Sequence, residues 1–397
     1  MVLHGELMRR AIEWCVLGGV IVASLWMWPT PGSPDVGFWT DWTSSTLRLG
    51  LRDGYIAIAH DYPPGCATLL WITGRLGEFF GADIQAGLKV LVTTFLLATT
   101  TLVLAWTRRP LVAAFAYASL AIGAIGLLYL DILPAPLLIG AAWALSRDRK
   151  GLALVLLAVA CTIKWPPVMI LPFVLCYAGM SRTSGTPIWR AVLRFAVVPA
   201  GVGLILLAAF GPVVLSAFSR SMGHHHVSAQ AANLGWILTW ILHVANPAVF
   251  GPIEMGRSNI IVPHGSVIVP LLKAIFGVLY ISLVVRYARS GDRSTVGLLR
   301  HALAGYLIYF MFNGGVHENH LQMAVVIAIA LVAIDLSWIW AAVAVAVCAN
   351  ANMIAFYGID GPFRYHVLVG VDASVWLAVA VMAVLAVVTS RLISNRT

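Results

Sequence analysis

Long apolar runs separated by short polar breaks dominate this chain, and their lengths are the first constraint on its structure. A helix needs about 20 apolar residues to cross the hydrocarbon core of a bilayer. Twelve runs approach that length: 11–29, 88–107, 110–128, 131–146, 150–163, 165–179, 190–211, 260–287, 299–314, 319–335, 337–356 and 371–390. The two that flank Lys164-Trp165-Pro166-Pro167 are short and read either as two spans or as one. The basic residues decide. With the break kept, 16 of the 25 lysines and arginines cap one side, among them Arg9, Arg10, Arg108, Arg109, Arg147 and Arg149. Basic residues concentrate on the cytoplasmic side of membrane proteins, and removing the break moves Arg182, Arg190 and Arg194 to the other side. The pattern predicts one all-α integral membrane domain over 1–397, a helix bundle of about 12 transmembrane spans with both termini cytoplasmic.

This topology leaves two substantial outer loops, 30–87 and 212–259. The first holds an amphipathic stretch from Asp41 to Leu51 and an apolar run after Pro64, both expected to lie along the interface. The first apolar run is long and lacks a small-residue cleavage site, so it reads as a retained segment rather than a signal peptide.

Composition agrees. Hydrophobic residues make up 60% and charged residues 10%, with a mean hydropathy of +0.91. A soluble domain carries about 25% charged residues, so an ordinary soluble enzyme, a disordered tail and a nucleic-acid module are excluded. The formal charge of +9 does not restore the last of these, because the arginines sit in the caps between apolar runs. The five cysteines form no C-x-x-C pair, which argues against redox and zinc-ribbon readings. No phosphate-binding loop and no internal repeat is present.

The chemistry-bearing residues gather in the outer segments. Asp41 stands among aromatic rings in Phe38-Trp39-Thr40-Asp41-Trp42, where partial desolvation suits a base. His60-Asp61-Tyr62 precedes Pro63-Pro64, a pair that fixes an extended backbone and aims the preceding side chains. Asn313 to His320 reads N-G-G-V-H-E-N-H between two apolar runs. Ionisable residues at such depth usually face a cavity. His317 and His320 have the spacing for a shared helical face, but no further ligand supports a metal there. Arg220 lies beside three consecutive histidines, and Lys164 at a tight hairpin, both suited to a phosphate. An outer cavity with bases, cations and aromatic rings fits the processing of an anionic lipid. It also fits a transporter for an anionic solute or lipid-linked glycan. The clustering of functional groups in loops on one side, without repeated broken helices, favours the former.

These residues resemble the GT-C superfamily of integral-membrane glycosyltransferases, within it the branch of dolichyl-phosphate-glucose-dependent glucosyltransferases and their bacterial relatives. The matching pieces are Asp41 in the first loop followed by Asp61 to Pro64, the Lys164 hairpin, and Val316 to His320 at the start of a late helix. The segment from Arg220 to Trp236, with Asn233, is similar to the family's long outer loop. The likeness spans about 30–320. It implies a polyprenyl-phosphate-linked sugar as donor, expected to be mannose, glucose or another hexose, and leaves the acceptor open between a lipid-linked saccharide, an envelope glycan, a glycolipid and a protein side chain. An acid in the first outer loop then deprotonates the acceptor hydroxyl, which attacks the anomeric carbon with inversion. The resemblance gives that role to Asp41, with Asp61 and His60 ranked second. Arg220, Lys164, His317 and His320 are implied around the donor phosphate, with Tyr62, Glu318, Asn319 and Asn233 in the cavity. The D-x-D of metal-dependent members is missing from the first loop, so a metal-independent enzyme without cofactors is expected. Its expected place is the cell (inner) membrane, with the site on the periplasmic or outer face.

Overall fold

The computed structural model describes residues 2–58, 61–179, 188–252, 261, 266–358 and 367–394. The chain begins with α1 (Val2–Ser24), and the first outer loop then folds into α2 (Val36–Leu49), α3 (Leu51–Ile58) and α4 (Pro64–Phe80). Five apolar helices follow: α5 (Ile84–Thr107), α6 (Pro110–Ala121), α7 (Ala135–Ser146), α8 (Lys150–Ile163) and α9 (Leu171–Gly179). Next come α10 (Ile188–Phe210) and three helices of the second outer loop, α11 (Val213–Met222), α12 (Leu234–Ala245) and α13 (Pro247–Phe250). The last five are α14 (Ile268–Ser290), α15 (Thr295–Phe312), α16 (Leu321–Ile334), α17 (Ile339–Tyr357) and α18 (Ala373–Ser394). Val367–Leu368 and Val371–Asp372 form a small antiparallel pair just before α18.

Each of the twelve apolar runs coincides with a helix. Among the described residues, seven helical segments are long and apolar enough to cross a membrane. The other five runs form shorter apolar helices, and Leu234–Ala245 is a sixth of that kind. The break at Lys164 is real: Lys164 is extended and ends α8, and a 3-10 turn over Pro166–Ile170 leads into α9.

Burial distinguishes two classes among these uniformly apolar helices. Leu321 to Val332 of α16 are all buried, and α15 is buried along nearly its whole length, so these two form the centre of the bundle. Val192–Phe210 is equally apolar, with a mean hydropathy of 2.2, yet its most apolar window is 0% buried. It packs on α8 and α9 only along one side, with Phe195 and Val198 half-buried there, and leaves Val197, Leu204 and Ile205 exposed. Such a broad uncovered apolar face is suited to hydrocarbon as its solvent. The molecule is an all-α membrane bundle.

The helix ends carrying the predicted arginine caps meet through rings and ion pairs. The Lys150 ammonium lies 5.4 Å from the Tyr177 ring centre, and the Tyr177 hydroxyl 3.3 Å from Thr295 Oγ1. Arg300 pairs with Asp335 at 3.0 Å and covers the Trp338 ring, while Arg391 covers Trp340. Because Lys150 begins α8 and Tyr177 lies near the end of α9, the hairpin places Lys164 at the opposite end.

One apolar run is interrupted. After α6 the chain makes a π-turn over Ile122–Gly126 and Leu128 takes a positive φ, which frees carbonyls inside the bundle. The buried Lys89 of α5 donates to one of them, Ile125 O, at 2.7 Å, and also to Met27 O at 3.3 Å and Thr30 Oγ1 at 3.0 Å, while Thr30 Oγ1 donates to Gly126 O at 2.7 Å. Unpaired backbone groups in hydrocarbon are costly, so an interrupted span needs such a donor. The interruption brings Tyr129 and Asp131 into the buried centre near the outer loops.

Candidate functional site

A cavity of about 250 Å³ opens where the two outer loops meet the ends of α8, α15 and α16. Helix α2 supplies one wall. Its Trp39, Trp42, Thr43 and Thr46 are buried at helical spacing, and both tryptophans line the cavity. Two steps of 100° place Asp41 about 200° round from Trp39. Asp41 is accordingly exposed and outside the cavity lining, contrary to the position expected of the base. Asp35 stands there instead. It occupies the N-cap position of α2 but makes no capping hydrogen bond, and its side chain lines the cavity. Burial pushes the Asp35 carboxyl above its ordinary value, with Lys164 drawing it down and Asp131 adding to the rise.

The Asp61-Tyr62-Pro63-Pro64 stretch forms the neighbouring wall. Pro63 is extended and α4 starts at Pro64, as the sequence suggested. Gly65 is required by contact: a Cβ there would lie 2.3 Å from the Thr162 carbonyl oxygen. The start of α4 therefore rests directly on the end of α8, and Trp165 Nε1 donates to Asp61 O at 2.6 Å. Tyr62 packs its ring against Trp39 and Trp42, with the Lys164 ammonium 5.1 Å from its centre. His60 lies outside the described residues.

Lys164 lines the cavity but is not the free hairpin cation that the sequence implied. It is buried and pairs with Asp131 at 2.5 Å. The sequence reading missed Asp131, taking it as the first residue of a span. Its signal was an acid opening an apolar run, three residues before Pro134.

The third wall comes from the second outer loop, folded onto the turn that precedes α16. Ala229 N donates to Val316 O at 3.0 Å, and Lys273 of α14 donates to Met222 O and His224 O at 2.6 and 3.2 Å. Gly315, at φ +76°, allows the approach, since a Cβ there would fall 2.7 Å from His224 Cβ. The His224 and His317 rings are 5.3 Å apart, those of His317 and His320 5.6 Å, and Tyr309 OH lies 3.0 Å from His320 Nδ1. Asp61 faces Arg220 at 3.6 Å and His224 at 3.2 Å; Asp61 and His224 line the cavity, whereas Arg220 lies just outside its lining. His317 is pushed down to about 3 by burial first, then by His224 and Lys164, so its imidazole is neutral near pH 7. It serves as a hydrogen-bonding group rather than a second cation.

Asn319 lines the cavity beside the two histidines, whereas Glu318 and Asn233 turn away from it. Glu318 accepts from the Tyr129 hydroxyl at 2.6 Å in the buried centre. Asn233 caps α12 by accepting from Trp236 N at 3.0 Å, and its amide donates to Phe310 O at 2.9 Å. Both hold the loop and turn in place. No group of three His, Cys, Asp or Glu side chains suited to a metal ion occurs among the described residues.

The cavity thus presents two carboxylates, Asp35 without a cap bond and Asp61 facing Arg220 and His224, together with a lysine on a buried aspartate, a run of imidazoles and an aromatic wall. Such a set can take a proton from a hydroxyl on one side and receive a phosphate on the other. No protein-family model matches the chain, and no curated protein matches it at a significant level.

Proposed function

We propose that the protein is a GT-C type glycosyltransferase of about twelve spans that moves a hexose from a polyprenyl-phosphate donor to a lipid-linked or envelope glycan. Asp35 replaces Asp41 as the base in this reading. Its carboxylate takes the proton of the acceptor hydroxyl while that oxygen attacks the anomeric carbon. The bond from that carbon to the phosphate oxygen breaks, the sugar inverts, and the lipid phosphate leaves as an anion. Lys164 meets the charge that develops on the phosphate, with the imidazole N–H groups of His317 and His320 adding donors. Arg220 at the rim is suited to the incoming phosphate. The tryptophans of α2 and Tyr62 offer faces for the apolar side of a sugar ring.

The observation that carries the reading is the sharing of one cavity by Asp35, Lys164, His317 and His320 at the end of an apolar bundle. A lipid donor enters such a site sideways from the bilayer, without a soluble domain. The placement of the arginine caps at the opposite end supports a periplasmic or outer face for the site.

The test is reconstitution in liposomes with a panel of polyprenyl-phosphate hexoses and glycolipid acceptors, following release of polyprenyl phosphate. Release that depends on both donor and acceptor is expected. Movement of intact donor between leaflets without release would replace the enzyme by a transporter.

A further inference from the structure

The end of the bundle remote from the cavity holds a second, larger recess. Helix α5 has 24 residues and is about 36 Å long. Gln85 at its start bonds Pro31 beside the first outer loop, and Arg108 caps its far end. There a groove of about 840 Å³ runs between α1, the α5–α6 turn and the start of α17. Its inner part is apolar, with Leu104, Phe115 and Ile339 in the wall. Its outer part carries Arg9, Arg10, Arg108 and Arg109 against a single acid, Glu13, which pairs with Arg9 at 3.6 Å. Among the described residues no acidic side chain pairs with Arg10, Arg108 or Arg109.

We propose that this groove binds an anionic phospholipid, with its headgroup phosphate among Arg10, Arg108 and Arg109 and its acyl chains along the apolar wall. Three features carry it. First, the arginines converge on one recess, and guanidinium groups match phosphate oxygens in paired hydrogen bonds. Second, the recess has two parts, cationic at the helix ends and apolar toward the bundle, which is the polarity of a phospholipid and not of a soluble anion. Third, Arg108 sits at φ +54° at the end of α5, a conformation that glycine adopts without strain. The tight turn thereby retains a cation where backbone geometry alone favours its loss. This site stands apart from the transfer chemistry and does not rest on it.

The experiment uses the full-length protein in nanodiscs with equal amounts of phosphatidylglycerol and phosphatidylcholine, counting retained lipids by native mass spectrometry. Phosphatidylglycerol should be retained in preference by about 30-fold or more, the scale expected for two or three cations near a headgroup. R10Q/R109Q should abolish the preference. E13Q should strengthen it by releasing Arg9, a gain that a misfolded variant does not show. R286Q/R289Q, a basic pair of α14 outside the groove, should leave it unchanged. Equal retention of the two lipids, or a preference intact in R10Q/R109Q, overturns the proposal. Equal loss in R286Q/R289Q also does, by showing a diffuse basic cap. Competition by millimolar glycerol phosphate reassigns the groove to a soluble anion.

Discussion

Asp35 and Asp41 lie six residues apart and differ in what the helix between them does to each. Asp35 precedes the first turn of α2 and reaches the cavity, while Asp41 projects from the opposite face to Trp39. Asp35→Asn should lower turnover by about 100-fold or more with donor binding retained, and Asp41→Asn should stay close to wild type. The reverse pattern in a release assay returns the role to Asp41. A base acts only when deprotonated, and burial raises Asp35 above its ordinary value. Activity should therefore fall on the acid side at a higher pH than an exposed aspartate, near 3.9, gives. A kcat/KM profile without that acidic limb speaks against Asp35. The Lys164–Asp131 pair makes a second prediction. Both side chains are nearly inaccessible, so Asp131→Asn strands a buried ammonium and should cost about 3–5 kcal/mol of stability. The apolar double variant D131L/K164M should recover thermal stability without recovering turnover. Turnover restored along with stability would make the pair a structural strut. Neither Asp35 nor Asp131 was legible as a site residue in the sequence, because each stands where acids are common for local reasons, at an N-cap and at the start of a span. What distinguishes them is a missing cap bond and a distant lysine, and both are tertiary facts.

At the scale of elements the sequence was informative wherever one solvent imposed one pattern. The twelve apolar runs reappear as helices because hydrocarbon demands continuous apolar, hydrogen-bonded backbone. The Lys164 break was readable from the arginines on either side of it. The π-turn at Ile122–Gly126 was not, because its compensation comes from Lys89 more than thirty residues earlier. The packing of the second outer loop was hidden for the same reason. Its three consecutive histidines carry no local sign of their neighbours, which are a glycine turn, a lysine of α14 and an aspartate of the first loop. Gly315 is the joint between that loop and α16, and its positive φ and its contact with His224 are independent demands for glycine. Gly315→Ala should therefore destabilise by about 1–3 kcal/mol, from backbone strain and overpacking together. The release assay should show weaker donor use in the same variant, because His224 and His317 move apart. An unchanged melting temperature in detergent would show that the loop closes without this contact.

The whole molecule has two unlike ends, and the proposed reaction depends on which of them faces outward. At one end are the cavity, its aspartates and the folded outer loops; at the other, the paired Arg300 and Asp335 and the arginine groove. The separation follows from helix length, since α5 alone runs from Asp83, near Pro31, to Arg108. Exposed serines mark both ends: Ser219 on α11, one residue before Arg220, and Ser337 between α16 and α17. In a variant lacking the native cysteines, Ser219→Cys should react with a membrane-impermeant maleimide added to intact spheroplasts. Ser337→Cys should react only after permeabilisation. The expectation rests on the resistance of basic caps to translocation, by which the arginines near Ser337 would hold it inside during insertion. Labelling of both positions from one side would break the topology itself. Labelling of Ser337 alone from outside would invert the bundle, turn the cavity toward the cytoplasm, and remove the outer-face donor from the proposed reaction.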